Sequence, residues 1–140
     1  MTEHSLHVSI VTPQATAFEG TALAVSVPGS ESPFQVLFNH APIISSLDIG
    51  VLKIEEPNNH VHVFATREGF VEVLRNNVNI VVEDLMPASG IDEAVAAAEV
   101  TEARTKWNEA SDRASRAQLL RDLHWAEARE RAAKLFRSQP

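Results

Sequence analysis

A catalytic centre needs a nucleophile, a base or a metal in a workable constellation, and the residues of this chain that come nearest are its histidines, at positions 4, 7, 40, 60, 62 and 124. Only His60 and His62 have a spacing with geometric meaning. Residues two apart on a strand share a face, so their imidazoles stand together beside the Glu56-Pro57-Asn58-Asn59 turn. A metal centre there needs a third ligand. No sequence spacing supplies one, so the pair reads as exposed strand residues. The carboxylates of Glu55-Glu56 and Glu83-Asp84 fall at strand ends, where such groups ordinarily face water. Cysteine is absent, which excludes disulfides and thiolate centres and agrees with a reducing compartment. The chain holds no Gly-x-Ser-x-Gly elbow, no His-Glu-x-x-His, no phosphate-cradling glycine loop and no dinucleotide fingerprint. Trp107 and Trp125 stand at helical spacing and read as packing residues. No catalytic residue, metal or cofactor is expected, and the chain reads as a binding or coupling part.

The elements that carry these residues fall into two halves. Up to about Glu83 the chain is a series of short β-rich runs: His7 to Val11, Thr21 to Val27 with Leu23, Val25 and Val27 on one side, Phe34 to Phe38, Val51 to Ile54, Val61 to Ala65, Phe70 to Leu74 and Val78 to Val82. Turn residues separate them at Pro28-Gly29-Ser30, at Glu56 to Asn59 and at Asn76-Asn77, the last suited to a tight hairpin. Short strands with one apolar side imply two sheets packed face to face or a flattened barrel. Met86 to Gly90 is a break, with Pro87 lacking a backbone donor.

From Ile91 to about Arg137 there is neither glycine nor proline, and alanine, glutamate and arginine dominate. Ser89 with Asp92 three residues on resembles a capping box. Ala96, Val100, Ala103, Trp107 and Ala110 make one narrow apolar stripe. Ala114, Ala117, Trp125, Ala128, Ala132 and Leu135 make another, with Leu119, Leu123 and Ala126 on a separate face. Ser111 or Asp112 is placed to cap a second helix after Asn108-Glu109. Unbroken, the segment would run about 70 Å at 1.5 Å per residue, and a polar-faced helix of that length needs a partner or must fold back. The sequence permits both a hairpin and an extended rod.

Charge divides the chain in the same place. The net charge is −7, yet the segment after Ser111 carries Arg113, Arg116, Arg121, Arg129, Arg131, Lys134 and Arg137, whereas Lys53, Arg67 and Arg75 are the only strong bases before Pro87. Arg113, Arg116, Arg131 and Lys134 share one helical stripe. An acidic body with a basic tail suits an acidic partner; without an aromatic stacking platform or a nucleic-acid motif, no nucleic acid is expected. No run approaches the length of about 18 apolar residues that spans a bilayer, and no signal peptide is visible at the N-terminus. A soluble protein is expected, able to sit at a membrane through a partner.

One ordered set of motifs ties these readings together. Pro28-Gly29-Ser30-Glu31 followed by Phe38-Asn39-His40-Ala41-Pro42-Ile43 resembles the turn and Pro-Gly-His-Ala-Pro-Leu segment of the epsilon subunit family of the F-type ATP synthase, epsilon in bacteria and chloroplasts and delta in mitochondria. Val11-Thr12-Pro13 with Ala17-Phe18-Glu19-Gly20 precedes them in the family's order. Asp48 to Ile54, Gly69 to Val73, Asn77 to Val81 and Ile91-Asp92-Glu93-Ala94 follow. The chain departs from the family pattern at Ser32 and Pro33, and at Phe38-Asn39, where the family has Pro-Gly.

The resemblance implies an α+β protein: an antiparallel β-sandwich of about ten strands over residues 1–88, then a two-helix α-hairpin over 89–140. It implies a non-catalytic rotor part of a proton-translocating enzyme. Such a part clamps the gamma subunit against the c-ring, with Glu31, Pro33, Phe34 and His40 on the ring side. It also implies that Arg113, Arg116, Arg131 and Lys134 meet the alpha and beta subunits of the catalytic head when the helices extend, braking ATP hydrolysis. The location implied is peripheral, at the cytoplasmic face of the bacterial plasma membrane. Some members sense ATP through Ile/Leu-Asp-x-x-Arg-Ala; here Val95 replaces the arginine and offers neither donor nor charge, so weak or absent ATP binding is expected. The competing reading is a free-standing interaction module whose basic helix binds an acidic protein or nucleic acid.

Overall fold

A computed structural model describes residues 4–139. Ten strands are followed by two helices: β1 (Leu6–Val11), β2 (Thr16–Ala22), β3 (Ala24–Val27), β4 (Phe34–Leu37), β5 (Ile43–Leu47), β6 (Gly50–Glu55), β7 (Val61–Thr66), β8 (Gly69–Leu74), β9 (Asn77–Val82), β10 (Leu85–Pro87), α1 (Glu93–Glu109) and α2 (Arg113–Arg137). The strands form two five-stranded sheets, ordered β2-β1-β9-β8-β5 and β10-β7-β6-β3-β4. Two stacked sheets rather than a closed barrel is the outcome. The pairs are antiparallel except β1 with β9, which run parallel from His7–Asn77 to Val11–Val81.

Alternation along the strands builds the core. Leu6, Val8 and Ile10 of β1, Leu52 and Ile54 of β6, Val71 and Val73 of β8, and Val78, Ile80 and Val82 of β9 all point between the sheets and are buried. Each fully buried aliphatic side chain contributes about 1.5–3 kcal/mol, so this layer dominates the stability of the sandwich.

Four details differ from the sequence reading. The run Thr21 to Val27 is not one strand: it breaks at Leu23, because the chain leaves one sheet with β2 and joins the other with β3. Ala22 and Ala24 are therefore both buried, while Leu23 is exposed. Strands β5 and β10 were not anticipated. Ser45 and Ser46 dilute the apolar signal of β5, and Pro87 is tolerated in β10 because that strand lies at a sheet edge. The β8–β9 turn sits one residue earlier than Asn76-Asn77, with positive φ at Arg75 and Asn76 and a closing Leu74–Asn77 pair. Finally, Asp92 and not Ser89 caps α1, accepting from Val95 N at 3.0 Å; Ser89 lies in a 3₁₀ turn spanning Ala88–Gly90.

The helices fold back on one another. Asp112 caps α2 by accepting from Ser115 N at 2.9 Å, an interaction that holds its carboxyl below the usual aspartate range. Arg137–Glu93, Arg129–Glu99 and Arg104–Glu127 pair across the hairpin at 2.8, 2.8 and 3.3 Å. Val100 of α1 meets Leu123 and Ala126 of α2, with Ala103 and Trp107 alongside. α2 lies on the outer face of the second sheet, where Ala128, Ala132 and Trp125 cover Val63 and Ala65 of β7. Ala114 and Ala117, assigned by period to the same stripe, are exposed because α2 runs past the sheet there.

Gly69 opens β8 opposite Val82 of β9, and a Cβ there would overlap the Val81 carbonyl oxygen. Gly69→Ala is expected to destabilise the sandwich by about 1–3 kcal/mol, read as a lower urea midpoint at unchanged slope.

Candidate functional site

Two kinds of surface stand out among the described residues: those placed to meet other proteins and those able to change their own packing. The first is the seat of α2. Trp125 is 8% exposed and lies against Val63, Ala65 and Ala88. The guanidinium of Arg67, from the β7–β8 turn, stands 4.9 Å from its ring centroid, and that of Arg129, one helical turn on, 5.4 Å. Such contacts add to the area buried. Beside them Arg121 makes a two-pronged pair with Glu68 of the same turn, Nε to Oε2 at 3.0 Å and Nη2 to Oε1 at 2.9 Å. The hydrogen bond from Arg121 lowers the Glu68 pKa from its ordinary value of 4.5, against an opposing effect of burial, and the same bond raises that of Arg121.

The basic stripe is divided in this folded hairpin. Arg113, Arg131 and Lys134 are exposed, Lys134 within 3.5 Å of Glu130 on its own helix. Arg116 is engaged: its Nη1 donates to the carbonyls of Trp107 and Ala110 at 2.9 Å each, and its guanidinium lies 4.5 Å from the Trp107 ring centroid. It closes the C-terminal end of α1. Arg131 borders a groove of ≈ 790 Å³ shared with Glu31, Pro33, Phe34 and Asp48.

The loop residues come together in part. Glu31 and Pro33 are exposed in the β3–β4 loop, which is tied down by Ser30 Oγ donating to Asp48 Oδ1 at 2.9 Å and by a bridge between Gly29 and Leu47. Phe34 and His40 are half-buried with ring centroids 6.1 Å apart. His40 Nδ1 lies 2.7 Å from the carbonyl of Ala41, so the imidazole also serves its own turn. Asn39 takes φ 64°, a left-handed conformation that asparagine tolerates. Its backbone N–H donates to Asn76 Oδ1 at 2.6 Å, and Asn76 Nδ2 donates back to Asn39 Oδ1 at 3.3 Å. An amide pair therefore joins the β4–β5 turn to the β8–β9 hairpin.

A surface that the sequence reading missed lies on the face of the sandwich away from the helices. Ile44 is 74% exposed, with Phe70 and Leu74 also exposed. Phe70 pairs with Ser46 and Ile44 with Glu72, which puts all three apolar side chains on the outer side of β5 and β8. The signal was present: Phe70, Val71, Val73 and Leu74 make β8 apolar on both parities. Val95 is exposed in the first turn of α1, and the Asp92 carboxylate beside it is already engaged in capping. Glu56, expected to face water, instead turns its carboxylate onto His60 and His62 at 3.2 and 3.0 Å.

Residues 5–88 match the family model described as ATP synthase, Delta/Epsilon chain, beta-sandwich domain. The chain is 40% identical to an ATP synthase epsilon chain of Salinibacter ruber over 109 residues, covering 72% of each. It is 34% identical to that of Nitratiruptor sp., over 94% of this chain and 98% of that one. With the chloroplastic ATP synthase epsilon chain of Guillardia theta it shares 31%, over 91% and 97%. The fold is shared with a chain of the Euglena gracilis mitochondrial ATP synthase OSCP/F1/c-ring structure, at TM-score 0.82 and 23% identity, covering 91% of this chain and 81% of that one. A chain of the Tetrahymena thermophila mitochondrial ATP synthase central stalk/c-ring structure aligns at TM-score 0.63 and 19% identity, over 95% and 99%.

Trp125→Ala is expected to weaken the seat of α2 by about 3 kcal/mol, seen as faster amide hydrogen exchange across α1 and α2 while β1 and β9 stay protected. Because the folded-state pKa of Glu68 is depressed, its contribution is present above the ordinary value of 4.5 and lost as pH falls through the folded value. Acidification below that value should lower the protection factors of α2 amides relative to their intrinsic rates, and Glu68→Gln should remove this part of the pH dependence.

Proposed function

This chain belongs to the ATP synthase delta/epsilon family, and we propose that it is the epsilon-type subunit of a rotary ATP synthase, a non-catalytic part of the rotor that couples the c-ring to the catalytic head. Its relatives over most of its length are ATP synthase epsilon chains. The observation that carries the mechanical role is the asymmetry of the sandwich: one outer face is covered by α2, and the other presents Ile44, Phe70 and Leu74 to solvent. Three exposed apolar side chains gathered on one face of a rigid sheet support reading it as a docking surface, and its proposed occupant is the gamma subunit. The tied-down β3–β4 loop and the Phe34–His40 corner, with Glu31 and Pro33, are the proposed contacts to the c-ring.

No helix among the described residues is long and apolar enough to cross a membrane, and in this reading attachment is peripheral, through the c-ring, at the cytoplasmic face of a bacterial plasma membrane. The helical arm is the proposed brake on ATP hydrolysis. Arg113, Arg131 and Lys134 are accessible for acidic groups of the catalytic head while the arm is folded, and Arg116 becomes so only when the hairpin opens. An ATP sensor is not part of this reading, because Val95 supplies no phosphate donor.

Coexpression tests the coupling role: the chain should copurify with gamma, and Ile44→Asp with Phe70→Asp should weaken that complex by at least about tenfold without changing the circular dichroism of the free chain. Unaltered gamma binding in the double variant would remove the proposed face. For the brake, the assembled head is expected to hydrolyse ATP faster when residues 91–140 are deleted. Equal rates would discard the regulatory role and leave the coupling role standing.

A further inference from the structure

Glu56, His60 and His62 form a cluster at the β6–β7 turn that neither coupling nor braking uses. We propose that these three residues bind one divalent cation of the Zn²⁺ type, through Glu56 Oε1, His60 Nδ1 and His62 Nε2. The three donor atoms lie within 4.8 Å of one another. Two of the three separations are 3.2 Å, from Oε1 to His60, and 3.0 Å, from Oε1 to His62; the third, between the two imidazole nitrogens, is at most 4.8 Å. Ligand atoms around a tetrahedral zinc, at metal distances near 2.0–2.2 Å, stand roughly 3.3 Å apart. Two edges already have the size of a coordination face, and a small rotation of the exposed His60 ring closes the third.

The turn holds the donors in place before any ion arrives. Glu56 N–H donates to the His60 carbonyl at 2.8 Å, and Asn59 N–H to the Glu56 carbonyl at 3.1 Å. The Asn58 side chain accepts from His60 N–H at 3.0 Å, and Asn59 takes the positive φ of 69° that closes the turn. The His62 ring is held edge-on by Phe18 at 5.0 Å and lies parallel to Phe64 at 6.3 Å between centroids. Its orientation is therefore fixed by packing. His60 is exposed and leaves a route from solvent.

Donor chemistry selects the ion. Two imidazoles and one carboxylate suit Zn²⁺, Co²⁺, Ni²⁺ or Cu²⁺, whereas Mg²⁺ and Ca²⁺ prefer all-oxygen shells. Three protein ligands leave a fourth position for water. Binding requires both facing nitrogens to be unprotonated, with the remaining ring proton on Nε2 of His60 and Nδ1 of His62. The cation then replaces two imidazole–carboxylate contacts by three metal bonds. His7 and Glu19, 3.3 Å apart, form the contrasting case: a lone pair outside any three-donor group among the described residues. Val61, between the two histidines, belongs to the cluster under α2, and Phe136 of α2 borders the recess beside His60 and His62. A bound ion would thus stiffen the strand on which the end of α2 rests.

The test is independent of the stalk assignment. The untagged full chain is titrated with ZnCl₂ by calorimetry and with Co²⁺ by visible absorption. One-to-one Zn²⁺ binding is expected with Kd of about 10 µM or tighter, together with ligand-field bands of low-symmetry Co²⁺ and a Zn²⁺-dependent rise in Tm. His60→Ala, at an exposed position, should weaken binding at least about tenfold and abolish the Co²⁺ bands, as should Glu56→Gln, while His7→Ala leaves both unchanged. Absence of saturable Zn²⁺ binding below about 1 mM, or binding that His60→Ala does not alter, would overturn the proposal. His62→Gln should weaken binding likewise, and should it fail to fold, His60→Ala decides alone.

Discussion

Strand β7 turns Phe64 into the sandwich and Val63 and Ala65 out of it, and all three are sealed from water. A strand buried on both faces needs a second layer over its outer side, and α2 is that layer. This one requirement places the helical hairpin. It puts Trp125 over the β7–β8 turn, brings Arg121 to Glu68, and leaves α1 resting on α2 as the outermost element.

The two layers over β7 are unequal in strength. The inner one is built from Val, Leu and Ile that interdigitate between sheets. The outer one uses Ala128 and Ala132, which allow close approach but bury little area each, with Trp125 as its largest buried side chain and Leu135 only partly buried beside it. Around Trp125 the stabilisation comes from guanidinium contacts and an ion pair at the edge of solvent, interactions that salt and pH can weaken. The sandwich and the seat of the arm are thus expected to open at different free energies, a difference that the proposed clamp and brake would require.

Covering one face and leaving the other bare also gives the sandwich a direction. Ile44, Phe70 and Leu74 lie on the uncovered sheet, whereas the exposed bases of α2 lie on the covered side. The amide pair of Asn39 and Asn76 ties the turn carrying His40 to the β8–β9 hairpin at the edge of the apolar surface. A load applied at one turn is then passed to the other through hydrogen bonds rather than through a flexible loop.

Period was the legible part of this molecule. Alternation in β6 and β9, the 3.6-residue stripe of α1 and the break before the helices all depend on residues close in sequence, and the amino-acid order alone determined them, whereas between Ser111 and Asp112 as the cap of α2 only the structure chose. What the tertiary structure decided depends on partners far along the chain. Leu23 breaks an alternating run because the chain changes sheets there. Ser45 and Ser46 become a strand because β8 is beside them, and Arg116 is taken up by carbonyls of the preceding helix. Glu56 meets His60 and His62 because the turn bends its side chain over the strand, a geometry that no linear ligand spacing expresses. Local periodicity sets which face of an element is apolar; only the packing of distant elements sets which of those faces is covered.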